Sequence, residues 1–234
     1  MDILVIDQCS KSKEYRDEFL PYDAETIDAN TIEDLRERPQ TPVIEARKLY
    51  SGRQQQYVDD ALGKLRENGD TVDRYFISAG FGLVEETDPL PPYNVTFADF
   101  SPTEIRERAE ELDIQSDILA LVTQEYDIIF FALGSDYIKT MALKTVLDAV
   151  PQDTWAVCFN QESVTERFSN ALSLPARTEE AKAQETIVVA LKGRYLQNFA
   201  DHRSHGKQVS SLGDIETFCT TEYTAQSDLD ISDF

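Results

Sequence analysis

Four groups of small and polar residues, each placed directly after a run of apolar residues, carry the chemistry that this sequence offers. A lysine and backbone amides suit a phosphate, while asparagine, glutamine and tyrosine suit the edge and face of a nucleobase. A carboxylate among them could orient a water molecule or stabilise an oxocarbenium-like centre. The pattern favours a nucleotide or nucleic-acid ligand and chemistry at an N-glycosidic bond. The groups are Cys9, Ser10 and Lys11; Ser78, Gly80 and Gly82; Gly134, Ser135, Asp136 and Tyr137; and Asn160 and Gln161.

The apolar runs before these groups predict buried β-strands, and helical patterns lie between them. The predicted fold is therefore α/β, a single domain with a central mixed or largely parallel sheet flanked by helices. If the sheet is parallel, the four strand exits lie at one edge, where open α/β sheets bind ligands. The runs cover residues 3–6, 72–77, 127–133 and 155–159.

The stretch from residue 76 to residue 94 is the most distinctive of the four. After the strand and its glycines, three prolines within four residues stiffen the chain ahead of Tyr93. A rigid loop that carries acids after a buried strand is a typical ligand-binding element, and Glu85 becomes a second acid–base candidate beside Asp136. The alternative is a surface loop held only by its prolines.

The first strand exit contains a cysteine between two groups of polar residues. Lys11 and Lys13 follow Cys9 closely, which would favour its thiolate and would make this turn a cradle for an anion. A small, half-buried residue with no chemical role is the other interpretation of Cys9.

Composition limits the class of protein. The 234 residues carry 44 acidic and 22 basic side chains, a net charge of -22 that self-repels at low salt. We expect a cytoplasm of high ionic strength, as in halophiles; an acidic protein of an ordinary cytoplasm is the alternative. A signal peptide and a membrane-spanning run are both missing from the pattern, so a cytoplasmic protein without membrane contact is expected.

No metal site, disulfide framework or cofactor is expected from the motifs. The three cysteines are far apart, and the two histidines have no cysteine nearby to complete a zinc set. The sequence has no GxGxxG, no phosphate-binding GxxxxGK and no zinc-deaminase signature.

Towards the C-terminus, residues 177–202 predict one long helix with an apolar stripe that includes Ile187. After residue 206 acidic residues dominate. We therefore predict an α/β domain over residues 1–206 and an acidic, mobile tail over residues 207–234.

Short motifs in a fixed order resemble the YaaA family and related uncharacterised domains. The resemblance covers about residues 1–140. It lies in Cys9-Ser10-Lys11-Ser12 after the first strand, Lys48-Leu49-Tyr50-Ser51-Gly52, Ile77-Ser78-Ala79-Gly80-Phe81-Gly82-Leu83 with Pro92-Tyr93, and Leu133-Gly134-Ser135-Asp136-Tyr137. The residues that take family positions are Lys11, Tyr50, Gly52, Ser78, Gly82, Pro92, Tyr93 and Tyr137.

The resemblance implies DNA binding through a helix-hairpin-helix-like element and protection against peroxide and iron-driven DNA damage, a stress response. Three departures are visible. Cys9 stands where the family usually has proline, Asp136 lies near the family's glutamate, and the family's basic C-terminal part is not recognisable.

Our leading hypothesis is a pocket that binds a nucleotide or an extruded base of DNA or RNA, with glycosylase or transglycosylase activity as its enzymatic form. Tyr93 and Tyr137 would stack or form hydrogen bonds, and Asp136 or Glu85 would act as acid or base. The alternatives are a non-catalytic DNA-binding protein that uses the same cleft and an interaction module that works through the late helix and tail. The predicted ligand-binding residues are Cys9, Ser10, Lys11, Tyr50, Gly52, Ser78, Gly80, Gly82, Tyr93, Ser135 and Tyr137.

Overall fold

Runs of β-branched and aromatic residues form the strands of this protein, as their propensities predict. The computed structural model describes residues 1–16 and 18–224. Within them lie the strands β1 (Asp2–Gln8), β2 (Ile44–Glu45), β3 (Thr71–Ser78), β4 (Gly82–Glu85), β5 (Pro89–Leu90), β6 (Ile128–Ala132), β7 (Trp155–Phe159) and β8 (Ala171–Leu174).

Six of these strands form one sheet in the order β4-β3-β1-β6-β7-β8, and β2 pairs with β5 separately. Within the six-stranded sheet, every pair of neighbouring strands is parallel except β3 and β4, which form an antiparallel hairpin. The predicted α/β class with a mixed, largely parallel sheet is therefore confirmed. The sequence did not reveal the edge strands β4 and β8, whose four residues each are too short for a clear apolar run.

The strand order contains a reversal beside β1. The chain goes from β1 outward to β3, then crosses back to β6 on the other side of β1 and continues to β7 and β8. The loops that leave β1 and β6 consequently run to opposite faces of the sheet and leave a crevice between them, which is the usual ligand position in open α/β sheets.

The helices cover both faces of the sheet. Alternation along β1 assigns the faces: Ile3 and Val5 pack with α4, α11 and α12, while Leu4 and Ile6 pack with α5, α6 and α8. The helices are α1 (Ala24–Asp28), α2 (Ile32–Arg36), α3 (Ala46–Leu49), α4 (Arg53–Glu67), α5 (Pro102–Glu111), α6 (Ile114–Val122), α7 (Ser135–Ile138), α8 (Leu143–Ala149), α9 (Glu162–Thr165), α10 (Thr178–Ala183), α11 (Leu191–Ser204) and α12 (Leu212–Thr220).

The helix predicted over residues 177–202 is divided in the structure. α10 ends at Ala183, Glu185 adopts a left-handed φ of 50°, and a 3-10 turn over Val188–Ala190 leads into α11. The physical reason is the run Thr186-Ile187-Val188-Val189, whose β-branched side chains are poor helix formers.

The chain beyond residue 206 contains a docked helix. Ser211 caps α12 by accepting a hydrogen bond from the Asp214 amide at 3.2 Å, and Ile215 and Cys219 are completely buried against the sheet's α11 face. The packed body therefore extends well past the boundary expected at residue 206, because two apolar residues one helical turn apart outweigh the acids around them. The rest of the predicted tail, residues 225–234, lies outside the described residues.

In the described ranges, no helix is both long enough and apolar enough to cross a membrane.

Candidate functional site

A cavity of about 400 Å³ opens in the crevice between the exits of β1 and β6. The beginning of α4 and the turn before α11 complete its wall. The structure brings to this cavity the predicted residues Cys9, Ser10, Lys11, Gly52, Ser135, Asp136 and Tyr137.

The turn after β1 presents one lysine to solvent and buries another. Lys13 Nζ donates a hydrogen bond to the Ser10 carbonyl at 3.0 Å and lies 4.4 Å from the centre of the Tyr93 ring. Burial lowers the Lys13 pKa, and the nearby Cys9 charge opposes that change. Lys11 is exposed, and its side chain has no ion pair or hydrogen bond with any other described residue. Lys11 is therefore the cation of this turn that is available to a ligand.

Glutamine side chains join the two strand exits. Gln8 Oε1 accepts a hydrogen bond from the Gly134 amide at 2.6 Å, and Gln55 Nε2 donates to the Gln8 carbonyl at 2.9 Å. Gly52 lets the start of α4 lie close to the turn after β1, since a Cβ at its position would lie 2.8 Å from Ser10 Cβ. The sequence analysis missed Gln8 and Gln55, because a glutamine at a strand end or in the first turn of a helix looks like ordinary surface.

A buried ion pair supports the cavity from below. Asp7 Oδ2 accepts a hydrogen bond from Arg74 at 2.7 Å, and both side chains are fully buried. Asp7 Oδ1 accepts from Gln54 Nε2 at 2.6 Å, and the same nitrogen donates to the Ala132 carbonyl at 2.8 Å. Arg74 also pairs with Asp59. Arg74 thus lies between two carboxylates, and the hydrogen bonds from Gln54 to Asp7 and Ala132 hold the Gln54 side chain in one position.

Three predicted ligand-binding residues form a scaffold beneath the cavity instead of lining it. The Tyr93 hydroxyl is 2.8 Å from the Tyr50 hydroxyl and 2.8 Å from Ser78 Oγ, which also accepts hydrogen bonds from the amides of Gly80 and Phe81. Tyr50, Ser78 and Tyr93 are at most 1% exposed. Burial and the nearby Cys9 charge raise the pKa of Tyr50 and of Tyr93, so both phenols are neutral. Neither ring is open to stacking by a ligand.

Tyr137 connects this scaffold to the cavity. Its hydroxyl donates to the Cys9 carbonyl at 3.0 Å and lies 3.0 Å from Cys9 Sγ. Its ring meets Phe97 edge to face with centroids 5.4 Å apart, and only 7% of the residue is exposed. Burial is the main cause that raises the pKa of Tyr137, and the charge of Cys9 raises it further. Cys9 and Tyr137 thus form the tightly packed back wall of the cavity.

The structure does not bring Gly80, Gly82 or Glu85 to the cavity. Gly82 starts the antiparallel strand β4 with a left-handed φ of 73°, and a Cβ there would lie 2.9 Å from the Leu112 carbonyl. Gly80 packs against the Tyr93 ring, and Glu85 is exposed at the far end of β4. The hairpin is the reason: it turns the chain back along β3, whereas a parallel connection would have kept these residues at the strand exits.

Asp136 is the acidic residue that lines the cavity among the described residues. Its side chain is 37% exposed and accepts a hydrogen bond from Lys139 Nζ at 2.7 Å. Asn160 and Gln161 do not line the cavity. Asn160 exchanges two hydrogen bonds with the backbone of Ala176, at 3.0 and 2.8 Å, and so joins the exit of β7 to the exit of β8.

The mouth of the cavity carries aliphatic side chains that the sequence analysis assigned to a helix stripe. Ile187 and Val189 line it, and they are 52% and 63% exposed. Arg53 adds a second exposed cation at the start of α4. The run of β-branched residues inside the predicted helix is the sequence signal that could have revealed this turn.

Four other hollows are larger, and none of them is lined by residues 8–12 or 133–137. One of about 910 Å³ lies among residues 14–44, and one of about 580 Å³ lies between α5, α6 and the segment after α7. Neither lies at the crevice between β1 and β6. In the part of the chain that the structure describes, no group of three or more His, Cys, Asp or Glu side chains is arranged to hold a metal ion.

A scan against protein-family models finds no match for this chain, and a search of curated proteins finds no significant match either. The cavity combines a lysine that has no ionic partner among the described residues, a half-exposed carboxylate, and an aliphatic mouth around a polar floor.

Proposed function

We propose that this cavity binds a nucleotide unit, either a free nucleotide or an extruded nucleotide of DNA or RNA, with its phosphate at Lys11. Lys11 carries the proposal. In a chain with 44 acidic and 22 basic residues, a lysine beside a strand-end cavity has no ionic partner among the described residues. An anionic ligand would supply one, in a position where open α/β sheets commonly bind phosphates.

The cavity suits a ligand of this size. A volume of about 400 Å³ falls within the range of small-molecule sites. The hydrogen bonds that hold Gln8, Gln55 and Gly134 together fix the floor before a ligand arrives, and a fixed floor lowers the entropic cost of binding. The YaaA-like resemblance stays a prediction, and it is consistent with a nucleic-acid ligand.

Chemistry at an N-glycosidic bond is the enzymatic form of this proposal, and Asp136 is its acid–base or electrostatic residue. The carboxylate lines the same cavity as Lys11, so it would face the sugar of a nucleotide whose phosphate is bound there. Glu85, the other candidate of the sequence analysis, is not part of the proposal because it lies outside the cavity.

Binding without turnover is the second candidate, and the environment of Asp136 favours it. The carboxylate is half-exposed and already paired with Lys139, as in many helical surface pairs that have no catalytic role. The two candidates share the binding site and differ only in the reaction.

Isothermal titration with nucleoside monophosphates and the matching nucleosides tests the binding proposal. We expect Lys11→Ala to weaken the monophosphates by about 1–3 kcal/mol and to leave the nucleosides unchanged. Lys144→Ala is the matched control, since it removes the same charge from an exposed pair with Asp148. Equal losses in both variants, or no binding of any nucleotide by the native protein, would contradict the proposal.

Release of free base from nucleosides, nucleotides or oligonucleotides, followed by chromatography, separates the two candidates. For an enzyme, Asp136→Asn should abolish release and preserve binding, because the amide keeps the shape and loses the charge. Nucleotide binding by the native protein with no release from any of these substrates would favour the non-catalytic protein.

A further inference from the structure

The turn between α10 and α11 exposes three aliphatic side chains in a row. Ile187, Val188 and Val189 are 52%, 40% and 63% exposed. Ile187 and Val189 line the cavity that also contains Lys11, whereas Val188, between them, does not. Apolar side chains left in water cost free energy, so two of them at the mouth of a polar cavity point to a ligand with an apolar face.

Both ends of this turn are fixed. The Thr186 amide donates to the Ala181 carbonyl at 2.9 Å, and the Ala190 amide donates to the Ile187 carbonyl at 2.9 Å. Ala190 is completely buried under the turn. The exposure of Ile187 and Val189 is therefore a property of a defined backbone conformation.

The aromatic residues of the site do not provide such a surface. Tyr93 is 1% exposed below the floor, and Tyr137 is 7% exposed with its hydroxyl bonded to Cys9. The large exposed apolar side chains at this cavity, within the described residues, are those of Ile187 and Val189.

We infer that Ile187 and Val189 contact the face of the nucleobase while Lys11 holds the phosphate of the same nucleotide. The inference rests on the proposed function and assigns the residues of that site that contact the base. It requires the base to be unstacked, because a base inside a duplex has both faces covered by its neighbours. The substrate class is thus a free nucleotide or a nucleotide extruded from its strand, held through one base face and one phosphate.

The test compares the four common nucleoside monophosphates with ribose 5-phosphate, which keeps the sugar and phosphate but lacks the base. We expect Ile187→Asn and Val189→Asn each to weaken the monophosphates about tenfold or more, a loss of about 1.4 kcal/mol, and to leave ribose 5-phosphate unchanged. Val188→Asn makes the same chemical change one residue away, outside the cavity, and should bind like the native protein. Val189→Thr, which preserves the shape, serves if an Asn variant fails to fold.

Three results would overturn the inference, and they differ from one another. Monophosphate binding that survives both Asn variants would place the base elsewhere and leave the proposed function intact. An equal loss with Val188→Asn, which lies outside the cavity, would show that the substitutions act by disturbing the turn and not by removing a contact with the base. Failure of the native protein to bind any monophosphate would remove the proposed function and the inference together.

Discussion

Lys192 is a buried, charged side chain that has no part in the proposed site. It lies on α11, 7% exposed, and burial lowers its pKa to about 8 against the opposing charge of Asp7. A lysine is tolerated in such a position only at a cost, because its charged form loses hydration that one distant carboxylate does not replace.

Replacing Lys192 by methionine should stabilise the protein at neutral pH. The pKa of Lys192 is lower in the folded state than in the unfolded chain, so the cost of burying its charge destabilises the native state fully below pH 8. That cost shrinks as the pH rises from 8 towards 10.4, because the folded protein then loses the proton. We expect Lys192→Met to raise the free energy of unfolding by about 2–3 kcal/mol at pH 7, and the gain to shrink between pH 8 and pH 10.

Urea unfolding of both proteins at several pH values measures that difference. Lys64→Met is the control, because Lys64 is partly exposed and paired with Asp60 and Asp201. A difference between the native protein and Lys192→Met that does not change with pH would show that the lysine is not desolvated.

At the scale of elements, α12 is as much a part of the core as the central strands. Beyond its own apolar contacts, its C-terminal carbonyls accept hydrogen bonds from buried amides of the preceding helices. Gln184 Nε2 donates to the Thr220 carbonyl at 2.8 Å, and Asn198 Nδ2 donates to the Cys219 carbonyl at 2.9 Å. Losing α12 would remove both of these hydrogen bonds from the interior.

Ile215→Ala tests the docking of α12. The side chain is fully buried, so its truncation should lower the free energy of unfolding by about 2–4 kcal/mol. Glu216→Ala, the exposed neighbour on the same helix, should change stability by less than about 0.5 kcal/mol. Equal effects in chemical denaturation would mean that the helix is not packed in solution.

For the molecule as a whole, charge is the dominant property. A net charge of -22 is spread over the surface, and its self-repulsion is screened as the Debye length falls from about 10 Å at 0.1 M salt to about 3 Å at 1 M. We expect the melting temperature to rise steeply with potassium chloride over this range.

Scanning calorimetry in potassium chloride measures that rise, and a neutral osmolyte at matched water activity is its control. The osmolyte stabilises by exclusion and does not screen charge, so it should give a smaller gain. A melting temperature that stays flat in salt would remove the halophile hypothesis.

The sequence predicts the parts of this protein that depend on local pattern. Continuous apolar runs identified β1, β3, β6 and β7, and the parallel geometry brought Lys11 and Asp136 to one cavity as expected. The features that could not be predicted from the sequence depend on contacts between residues far apart in the chain.

Chain direction after β3 could not be predicted from the glycines, so Gly82 and Glu85 were expected at a cavity that the antiparallel strand β4 does not reach. Ser78 ends β3 and is held beneath the cavity by its hydrogen bond with Tyr93. The roles of Gln54 and Gln55 follow only from their distance to Asp7 and Gln8, residues more than forty positions away.

The central place of β1 in the sheet determines when the site can exist during synthesis. Ile3 pairs with Val72 on one side and with Ile128 on the other, so β1 leaves the ribosome before both of its neighbouring strands and waits for them. The cavity wall ends at Val189, and at about 5–20 residues per second that residue is added roughly 10–40 s after β1. The nascent chain therefore has no binding site during that interval, and β1 has an unpaired edge until β6 has been added.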